Sequence, residues 1–451
     1  MTLPLVAMRQ PSMHGFLQWR AQPSWVKAGA SFDVDFVNQR MWREDVRGRG
    51  VVYDLAGLLG QLAFTRASAG TYFDASGVLQ DAATDVLRFD HDLVTLAAKG
   101  ALIEGARTNA LRNNTMAGAS APSTPPNNWS AAVSGSGLTL AVVGTSVEDG
   151  IAYIDFSVSG TAAGSPILQI RPETTTGVAA LTGQTWAFST FARIVSGSMA
   201  GYSAAITWVE RDAGGAFVAA NTTNLGLPTS AALRTQRFTG AQTLGGGGTV
   251  ACLTPRYDIT IPNGSSVAFT IRIGLPQLEL GAFVSSPIKT TSVAGTRAAD
   301  VLTAAVAGWL NTSEGSLLVE RDVASVAGST AQRAASIDDG TADNRVTASA
   351  KNTSSNATGV VVAGASTQAD ISAGAAATGV AKLALRWKAN DFAISRNGAA
   401  AVTDASGSVP SGLTTLRLGA DSAGNHLFGH LRRLAIIPRG VSNAELQAFS
   451  T

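Results

Sequence analysis

The chain has 451 residues, a formal net charge of +2 and a single cysteine. This length predicts two to four domains. A net charge so close to zero gives no electrostatic reason to expect a nucleic acid as a partner. A single cysteine excludes an intrachain disulfide, so we expect Cys252 to be a small buried apolar side chain in a protein that folds in a reducing compartment.

The composition predicts a mainly β protein. Charged residues make up only 14% of the chain, below the roughly 25% of ordinary globular domains, and glycine reaches 48 residues. Short bursts of alternating β-branched and aromatic residues supply a core, and turn-forming residues separate them. No apolar stretch approaches the ~18 residues of a membrane span, and the first residues lack a signal-peptide pattern, so we expect no membrane insertion.

Residues 1–63 have a mixed character. Phe32, Val34 and Phe36 alternate with polar residues, which predicts a half-buried strand. The following segment carries Trp42 and several arginines and is predicted to be a loop that becomes ordered against a partner. A segment this short and charged is poorly suited to fold alone. We therefore predict a particle-attachment segment whose arginines are solvated or contact protein. They are Arg40, Arg43, Arg47 and Arg49.

Residues 64–114 contain the most specific sequence in the chain. Two short strands are predicted around the turn from Asp74 to Gly77, followed by a turn at Lys99 and Gly100. This pattern predicts a β-rich collar or adapter. Four short motifs characterise residues 64–114: FTRAS at 64–68, TYFDASGVLQ at 71–80, LRFDHDL at 87–93 and GALIEGARTN at 100–109. They resemble the linker block of bacteriophage tail-fibre and head-fibre proteins, although Leu87 stands where those proteins usually have proline.

Residues 115–290 are predicted to form a β-sandwich of the jelly-roll type. A Pro-, Ser- and Ala-rich stretch at 115–128 predicts a linker, and short strands then recur about every 10–14 residues. The closing segment IRIGLPQLELGAF, at 271–283, resembles the last strand of the carbohydrate-binding-module-like jelly rolls found in phage proteins.

Residues 291–451 are predicted to form a second sandwich. Their features are an Arg-Trp strand with a turn at Asn397-Gly398, the word LRLG at 416–419 and a strand from Gly429. A terminal helix follows, with Ser442 as N-cap and Glu445 completing a capping box. This pattern resembles the concanavalin A-like/laminin-G lectin fold.

Together the resemblances imply a virion structural protein of the fibre or spike class, from a bacteriophage or a gene-transfer-agent-like particle. They imply an N-terminal segment that binds other virion proteins, and two sandwiches that project outward and bind host surface polysaccharide. They also imply a homo-oligomer, of which a trimer is our expectation, assembled in the host bacterial cytoplasm and displayed on the virion surface. Two alternatives remain open: a non-binding decoration or connector protein, and a polysaccharide depolymerase.

Aromatic side chains are the candidates for a glycan site, because sugars stack their apolar faces on aromatic rings. Trp129, Trp186, Tyr202 and Trp208 fall in the first sandwich and Trp387 in the second. For each tryptophan taken singly, a position in the core is the expected alternative.

No cofactor is expected apart from a structural calcium ion. Jelly rolls of the resembled class often hold one such ion, and Glu148, Asp149 and Glu279 are the available carboxylates. The alternative is that these residues are ordinary loop acids.

We expect no enzymatic activity. Asp90, His91 and Asp92 are neighbours in an extended segment and point to opposite faces, so they predict a surface turn and not a catalytic pair. His426 and His430 lie too far apart on a strand to share one metal ion. Glu320 and Asp322 share a strand face at a separation compatible with glycoside hydrolysis, which keeps the depolymerase alternative open.

Overall fold

The computed structural model describes residues 22–45 and 48–451 of the chain. It is a mainly β protein, with 51% of residues in strands and 4% in helices, and its multiple sheets are antiparallel and form β-sandwich domains. In the described part of the chain, no helix is long and apolar enough to cross a membrane.

The elements up to residue 109 are short and contribute strands to several sheets. In chain order they are β1 (Phe32–Asp35), β2 (Arg40–Glu44), β3 (Gly50–Tyr53), α1 (Leu55–Gln61), β4 (Ala63–Thr65), β5 (Gly70–Phe73), β6 (Leu79–Ala82), β7 (Arg88–His91), β8 (Ala98–Ile103) and β9 (Arg107–Asn109). The hairpin of β5 and β6 turns at Asp74 to Gly77, as the sequence predicts.

The middle of the chain forms the jelly-roll sandwich. Its strands are β10 (Ser130–Val133), β11 (Ser136–Glu148), β12 (Ile151–Ala163), β13 (Ile167–Arg171), β14 (Thr185–Ser196), β15 (Ser203–Arg211), β16 (Phe217–Leu225), β17 (Arg237–Thr243), β18 (Cys252–Thr260) and β19 (Ser266–Leu280), with a 3₁₀ turn at Leu233–Thr235. One sheet has the order β10-β13-β18-β15-β16 and the other β11-β12-β19-β14-β17. Alternate residues of both sheets fill the core between them.

The stretch 115–128, predicted to be a linker, is packed against this sandwich. Met116 is buried in its core, and the Val142 amide donates to the carbonyl of Pro122 at 2.8 Å. Prolines and small residues favour irregular backbone, but they do not prevent that backbone from covering a sheet edge.

The last part of the chain builds most of the second sandwich. Its elements are β20 (Gly295–Arg297), β21 (Val301–Ala305), β22 (Glu314–Val323), β23 (Gln332–Asp338), β24 (Arg345–Lys351), β25 (Asn356–Ala363), β26 (Ser366–Ala375), β27 (Gly379–Lys388), β28 (Phe392–Arg396), β29 (Val402–Asp404), β30 (Thr415–Leu418), β31 (Gly429–Ile437) and α2 (Asn443–Ser450). The seven-stranded sheet has the order β26-β25-β24-β23-β30-β21-β4, and the facing ten-stranded sheet includes β29-β28-β27-β22-β31-β1-β2-β3.

Six of the strands before residue 104, β1–β4, β7 and β8, belong to the sheets of this second sandwich, whereas β5 and β6 form a two-stranded sheet of their own. This revises the predicted separation of 1–63 and 64–114 from 291–451. β1 pairs with β31, with Phe32 beside Ile436, and β8 pairs with the start of the same strand. β4 pairs with β21 in the opposite sheet. The alternation of Phe32, Val34 and Phe36 does predict a strand, and its apolar side enters the C-terminal core.

Trp42 is buried, although the sequence placed it in a loop ordered by a partner. It lies on β2, only 2% exposed, and its indole N–H donates to the carbonyl of Ala30 at 3.2 Å. Gly50 on β3 leaves room for the ring, since a methyl group there would lie 1.8 Å from it. Arg47 and residues 1–21 of the predicted attachment segment lie outside the described residues.

Candidate functional site

The four candidate tryptophans are in the sandwich interiors, which corrects their assignment as sugar-stacking residues. Trp129 and Trp186 are 7% and 6% exposed, and Trp208 and Trp387 are fully buried. The alternation of a strand gives each large apolar ring a preferred face, and in these strands that face is the core side. A buried ring offers no surface to a sugar.

Tyr202 is half-buried and packs edge-on against Phe269, with ring centroids 6.0 Å apart. Burial raises the pKa of its phenol. With the tryptophans inside the cores, Tyr202 has no companion to form an aromatic platform.

The three candidate calcium ligands each face a protein partner. Glu148 lies 2.8 Å from Arg193 and also contacts Arg272, and Asp149 lies 2.7 Å from Arg234. Glu279 accepts hydrogen bonds from Ser285. Across residues 22–45 and 48–451, no group of three or more histidine, cysteine or acidic side chains is placed to hold a metal ion. The three carboxylates therefore act as partners for arginine and serine.

A cleft of about 440 Å³ lies where the two sandwiches and the β5–β8 strands meet, and we call it the junction cleft. Three parts of the chain that are distant in sequence form its walls. The lining residues that matter here are Tyr72, Phe73, Asp90, His91, Leu93, Lys99, Glu104, Arg237, Ser286, Phe428 and His430.

One wall of the cleft holds an acid–imidazole pair. Asp90 on β7 accepts from His430 on β31, with 2.8 Å between Oδ2 and Nε2, and its other oxygen accepts from the Phe73 amide at 2.7 Å. His91 contacts the Phe73 carbonyl through Nδ1 at 3.1 Å. Asp90 does not pair with its sequence neighbours, as the strand geometry predicted, but the surface turn predicted for Asp90 and His91 is wrong, because both lie on β7 and Asp90 pairs across the sheet.

Asp92, the residue after His91, lies in the turn that follows β7. Asp92 accepts from the backbone amides of Val94 and Thr95, and these hydrogen bonds, chiefly that of Thr95, lower the pKa of Asp92. Asp92 is therefore a turn-forming residue, in agreement with the sequence analysis.

Glu104, which lines the cleft, belongs to a cluster of buried charges that we call the buried ion-pair network. Arg88 bridges Asp300 and Glu104, at 2.6 and 2.9 Å. Arg66 adds a second contact to Asp300 at 3.2 Å, and Arg297 a second to Glu104 at 2.9 Å. All five side chains are at most 5% exposed. The network fastens the β-strands of 64–109 to the segment that follows β19.

The electrostatics of the network hold Glu104 ionised. Burial alone would raise the pKa of Glu104, but Arg297 and Arg88, with hydrogen bonds from Ser286, outweigh it and hold that pKa at about 2. Ser286 reaches the carboxylate through both its amide and its hydroxyl, at 2.9 and 2.7 Å. Glu104 and Ser286 thus place a fixed carboxylate and a hydroxyl in the lining of the cleft.

Arg237 supplies a cation to the cleft. Its guanidinium donates to the Ser189 hydroxyl and the Ser285 carbonyl and lies over the Phe191 ring. Within the described residues it has no carboxylate at ion-pair distance. Burial lowers the pKa of Arg237.

The cleft combines donors, acceptors and apolar surface in one concave site. Asp90 and Glu104 supply acceptors, Arg237 and Lys99 supply donors, and Tyr72 supplies a half-buried ring. Such a mixture suits a ligand that carries hydroxyl groups on an apolar ring. Sequence reasoning missed this site because its residues share no local pattern, and Asp90 and His430 are 340 positions apart.

The carboxylates considered for glycoside hydrolysis are individually paired with cations. Glu320 lies 2.6 Å from Arg432, and Asp322 lies 3.1 Å from Lys99. A further acid, Asp338 at the end of β23, lies 2.8 Å from Arg417 and accepts from the Gly340 amide at 3.0 Å.

No family model matches the chain, and no curated protein matches it. Among solved structures, similarity is found to the arabinose-bound GH51 α-L-arabinofuranosidase MgGH51, with a TM-score of 0.26 and 16% identity over 48% of this chain and 31% of that one. It is also found to the tandem CBM22 modules of Xyn10C from Paenibacillus barcinonensis, with a TM-score of 0.25 and 12% identity over 74% of this chain and 99% of that one. The chain thus spans about a third of the arabinofuranosidase, and TM-scores this low carry no argument about function.

Proposed function

We propose that this chain is a virion structural protein of the fibre or spike class that binds host surface polysaccharide in the junction cleft. The observation that carries the binding proposal is the cleft itself, where Asp90, His430 and Arg237 converge beside the Tyr72 ring. The proposal of a virion protein is supported by the sequence motifs at 64–109, which resemble those of phage fibre proteins.

Binding in the cleft needs no chemical step. Fixed hydrogen-bonding groups orient the sugar hydroxyls, and the half-buried ring covers one apolar face. A single such site binds weakly, but many copies on one particle make the second contact effectively intramolecular. Adhesion through many weak sites is the mechanism we propose.

Attachment to the particle is proposed to involve the N-terminal end of the chain. Because β1–β3 are part of the second sandwich, the attachment test removes only residues 1–21. We expect this truncation to abolish incorporation into particles while the purified protein keeps its thermal unfolding midpoint. Normal incorporation of the truncated protein would place the anchor elsewhere.

The binding proposal is tested on an array of bacterial capsular and cell-wall polysaccharides. We expect the wild-type protein to bind at least one of them and Tyr72→Ala to weaken that binding at least tenfold. Tyr53→Ala is the matched control, because Tyr53 is also half-buried but lies on β3 outside the cleft. We expect it to bind as the wild type does.

The alternatives give different results in the same experiment. If the wild-type protein binds none of the polysaccharides, the chain is a decoration or connector protein and the binding proposal is wrong. Steady release of oligosaccharides from a bound polysaccharide would identify a depolymerase. Equal losses of polysaccharide affinity in Tyr72→Ala and Tyr53→Ala would show that the junction cleft is not the binding site.

A further inference from the structure

A second charged surface lies on the jelly roll, on the outer side of the sheet β10-β13-β18-β15-β16. Ile170 pairs with Tyr257, and both point into the core. The next residues, Arg171 and Arg256, therefore lie opposite each other on the outer side. Arg211, on the neighbouring strand β15, points to the same side, and we call these three arginines the arginine face.

The placement of Arg171 opposite Arg256 lowers the stability of the folded protein. Like charges directly opposite each other on neighbouring strands are destabilising. Burial lowers the pKa of Arg171, and the proximity of Arg256 and Arg211 lowers it further. A cluster of cations that costs stability in the free protein is typical of a surface that meets negative charge in a ligand.

The charges of the face are not balanced internally. Its one carboxylate, Asp258, lies 2.6 Å from Arg256 and also accepts from the Thr207 hydroxyl at 2.6 Å. In the described chain, no carboxylate lies at ion-pair distance from Arg171 or Arg211. Three arginines and one aspartate leave this face with a net charge of +2.

The arginines bond to neutral groups in place of acids. Arg171 donates to the Gln169 side chain at 2.6 Å, and Arg211 donates to the Gly215 carbonyl at 2.9 Å. The other acidic residue of these strands, Glu210, faces the interior and is fully buried. Both arginines are half-buried, and each has a buried Nε that has no hydrogen-bond partner within the described residues.

The surroundings suit a sugar chain. Thr222 and Asn224 are exposed on the adjoining strand β16 and offer neutral donors and acceptors. Phe217 pairs with Arg211 and is 65% exposed, which provides an apolar surface beside the cations. Adjacent strands are about 5 Å apart, so the three arginines span about 10 Å across the sheet. Arg211 pairs with Cys252, four residues from Arg256, so it is also displaced by about 13 Å along the strands.

We propose that the arginine face binds an anionic polysaccharide, with the guanidinium groups of Arg171, Arg211 and Arg256 pairing with acidic groups along the sugar chain. Guanidinium suits this role because it stays charged and donates two parallel hydrogen bonds to one carboxylate or sulfate. This site is distinct from the junction cleft, and its ligand class is independent of the function proposed for the cleft.

The test measures binding of polygalacturonate, dextran sulfate and neutral dextran by titration calorimetry at low salt. We expect Arg171→Gln/Arg211→Gln to bind polygalacturonate at least tenfold more weakly than the wild type. The binding should weaken as salt rises, and the variant should show a smaller salt dependence. Dextran sulfate distinguishes sulfate from carboxylate as the preferred group, and neutral dextran should show no difference between the proteins.

The matched control is Arg345→Gln/Arg396→Gln, which removes the same charge from the second sandwich. Both of its arginines also donate to backbone carbonyls. We expect this control to keep wild-type affinity. The cleft variant Tyr72→Ala should also bind polygalacturonate normally, so failure at one site is distinguishable from failure at the other.

Fold effects are separated by charge-preserving variants and by thermal unfolding. Arg171→Gln should unfold at or above the wild-type midpoint, because it removes a like-charge contact. Arg171→Lys/Arg211→Lys keeps the charge but loses the two parallel hydrogen bonds, so it should bind more tightly than Arg171→Gln/Arg211→Gln and more weakly than the wild type. The proposal is overturned if the wild-type protein binds neither polyanion, or if the control double variant loses as much. Tighter binding of a single-stranded oligonucleotide, lost in the same variant, would assign the face to nucleic acid and also overturn it.

Discussion

Glu104 lines the junction cleft and lies between the guanidinium groups of Arg88 and Arg297. Its burial would be unfavourable without them, because an isolated buried charge costs several kcal/mol. Nothing in the motif GALIEGARTN indicates that Glu104 forms ion pairs with an arginine about 16 residues before it and another about 190 residues after it. Alternation predicts which face a residue occupies, but not which distant charge it meets.

Glu104→Gln should destabilise the protein strongly. The substitution keeps the shape of the side chain but removes the charge that compensates two buried arginines, and breaking such a pair costs about 3–5 kcal/mol. Denaturant unfolding measures the change. Glu445→Gln removes a carboxylate from a largely exposed pair with Arg439 and is the control, for which we expect a change of about 1 kcal/mol or less. Similar losses in both variants would contradict the role given to burial.

The same residue predicts an acid-sensitive stability. The pKa of Glu104 is about 2 in the folded protein against 4.5 ordinarily, so its contribution is fully present above about pH 4.5. It is lost as the pH falls from there towards 2, and amounts to about 3 kcal/mol. Unfolding free energy measured between pH 6 and 2.5 tests this. Glu104→Gln should show a shallower decline, and an unchanged slope in that variant would contradict the assignment.

At the scale of elements, alternation and turn residues predict the recurring strands of the first sandwich. In the second sandwich they predict β27, β30, β31 and the terminal helix, but not β23–β26. The N-cap Ser442 and its capping box with Glu445 are present as predicted. The partnership of β1 with β31 was not predictable, because 393 residues lie between Asp35 and Gly429 and a strand pattern carries no information about its partner. The buried positions of Trp208 and Trp387 were open for the same reason, since either face of their strands could have been the core.

Phe32→Ala tests whether β1 is part of the second sandwich. Phe32 is 1% exposed and stacks on Trp309 at 4.6 Å between ring centroids. Removing a buried aromatic ring of this kind costs about 3–5 kcal/mol, and the loss should appear in the unfolding free energy of the second sandwich. Phe217→Ala, at a 65% exposed ring, should change stability by about 0.5 kcal/mol or less. A neutral Phe32→Ala would show that the segment folds separately.

Ser442→Ala tests the helix cap. The Ser442 hydroxyl accepts from the Glu445 amide at 3.2 Å, and the Glu445 carboxylate accepts from the Ser442 amide at 2.7 Å. We expect a loss of about 1 kcal/mol, with faster hydrogen exchange in α2. Ser442→Asp, which preserves an N-cap acceptor, should retain most of the stability. Equal losses in the two variants would contradict the capping role.

At the scale of the whole molecule, the block at 64–109 is an integral part of the fold. Its β4, β7 and β8 join the sheets of the second sandwich, and its β9 pairs with β20. Its Arg66, Arg88 and Glu104 form the buried ion-pair network with Arg297 and Asp300. The sequence predicted two sandwiches and, before them in the chain, an adapter that joins them to the particle. It did not predict the cleft, because the lining comes from three separate parts of the chain and forms only when both sandwiches are in place.

The most direct test of the account is a crystal structure of the protein with an oligosaccharide from a polysaccharide that it binds. We expect the sugar to occupy the junction cleft, with hydroxyl groups within hydrogen-bond distance of Asp90, His430 or Arg237 and one ring face against Tyr72. A sugar bound elsewhere on the protein, with the junction cleft left empty, would contradict the proposal that the cleft binds polysaccharide.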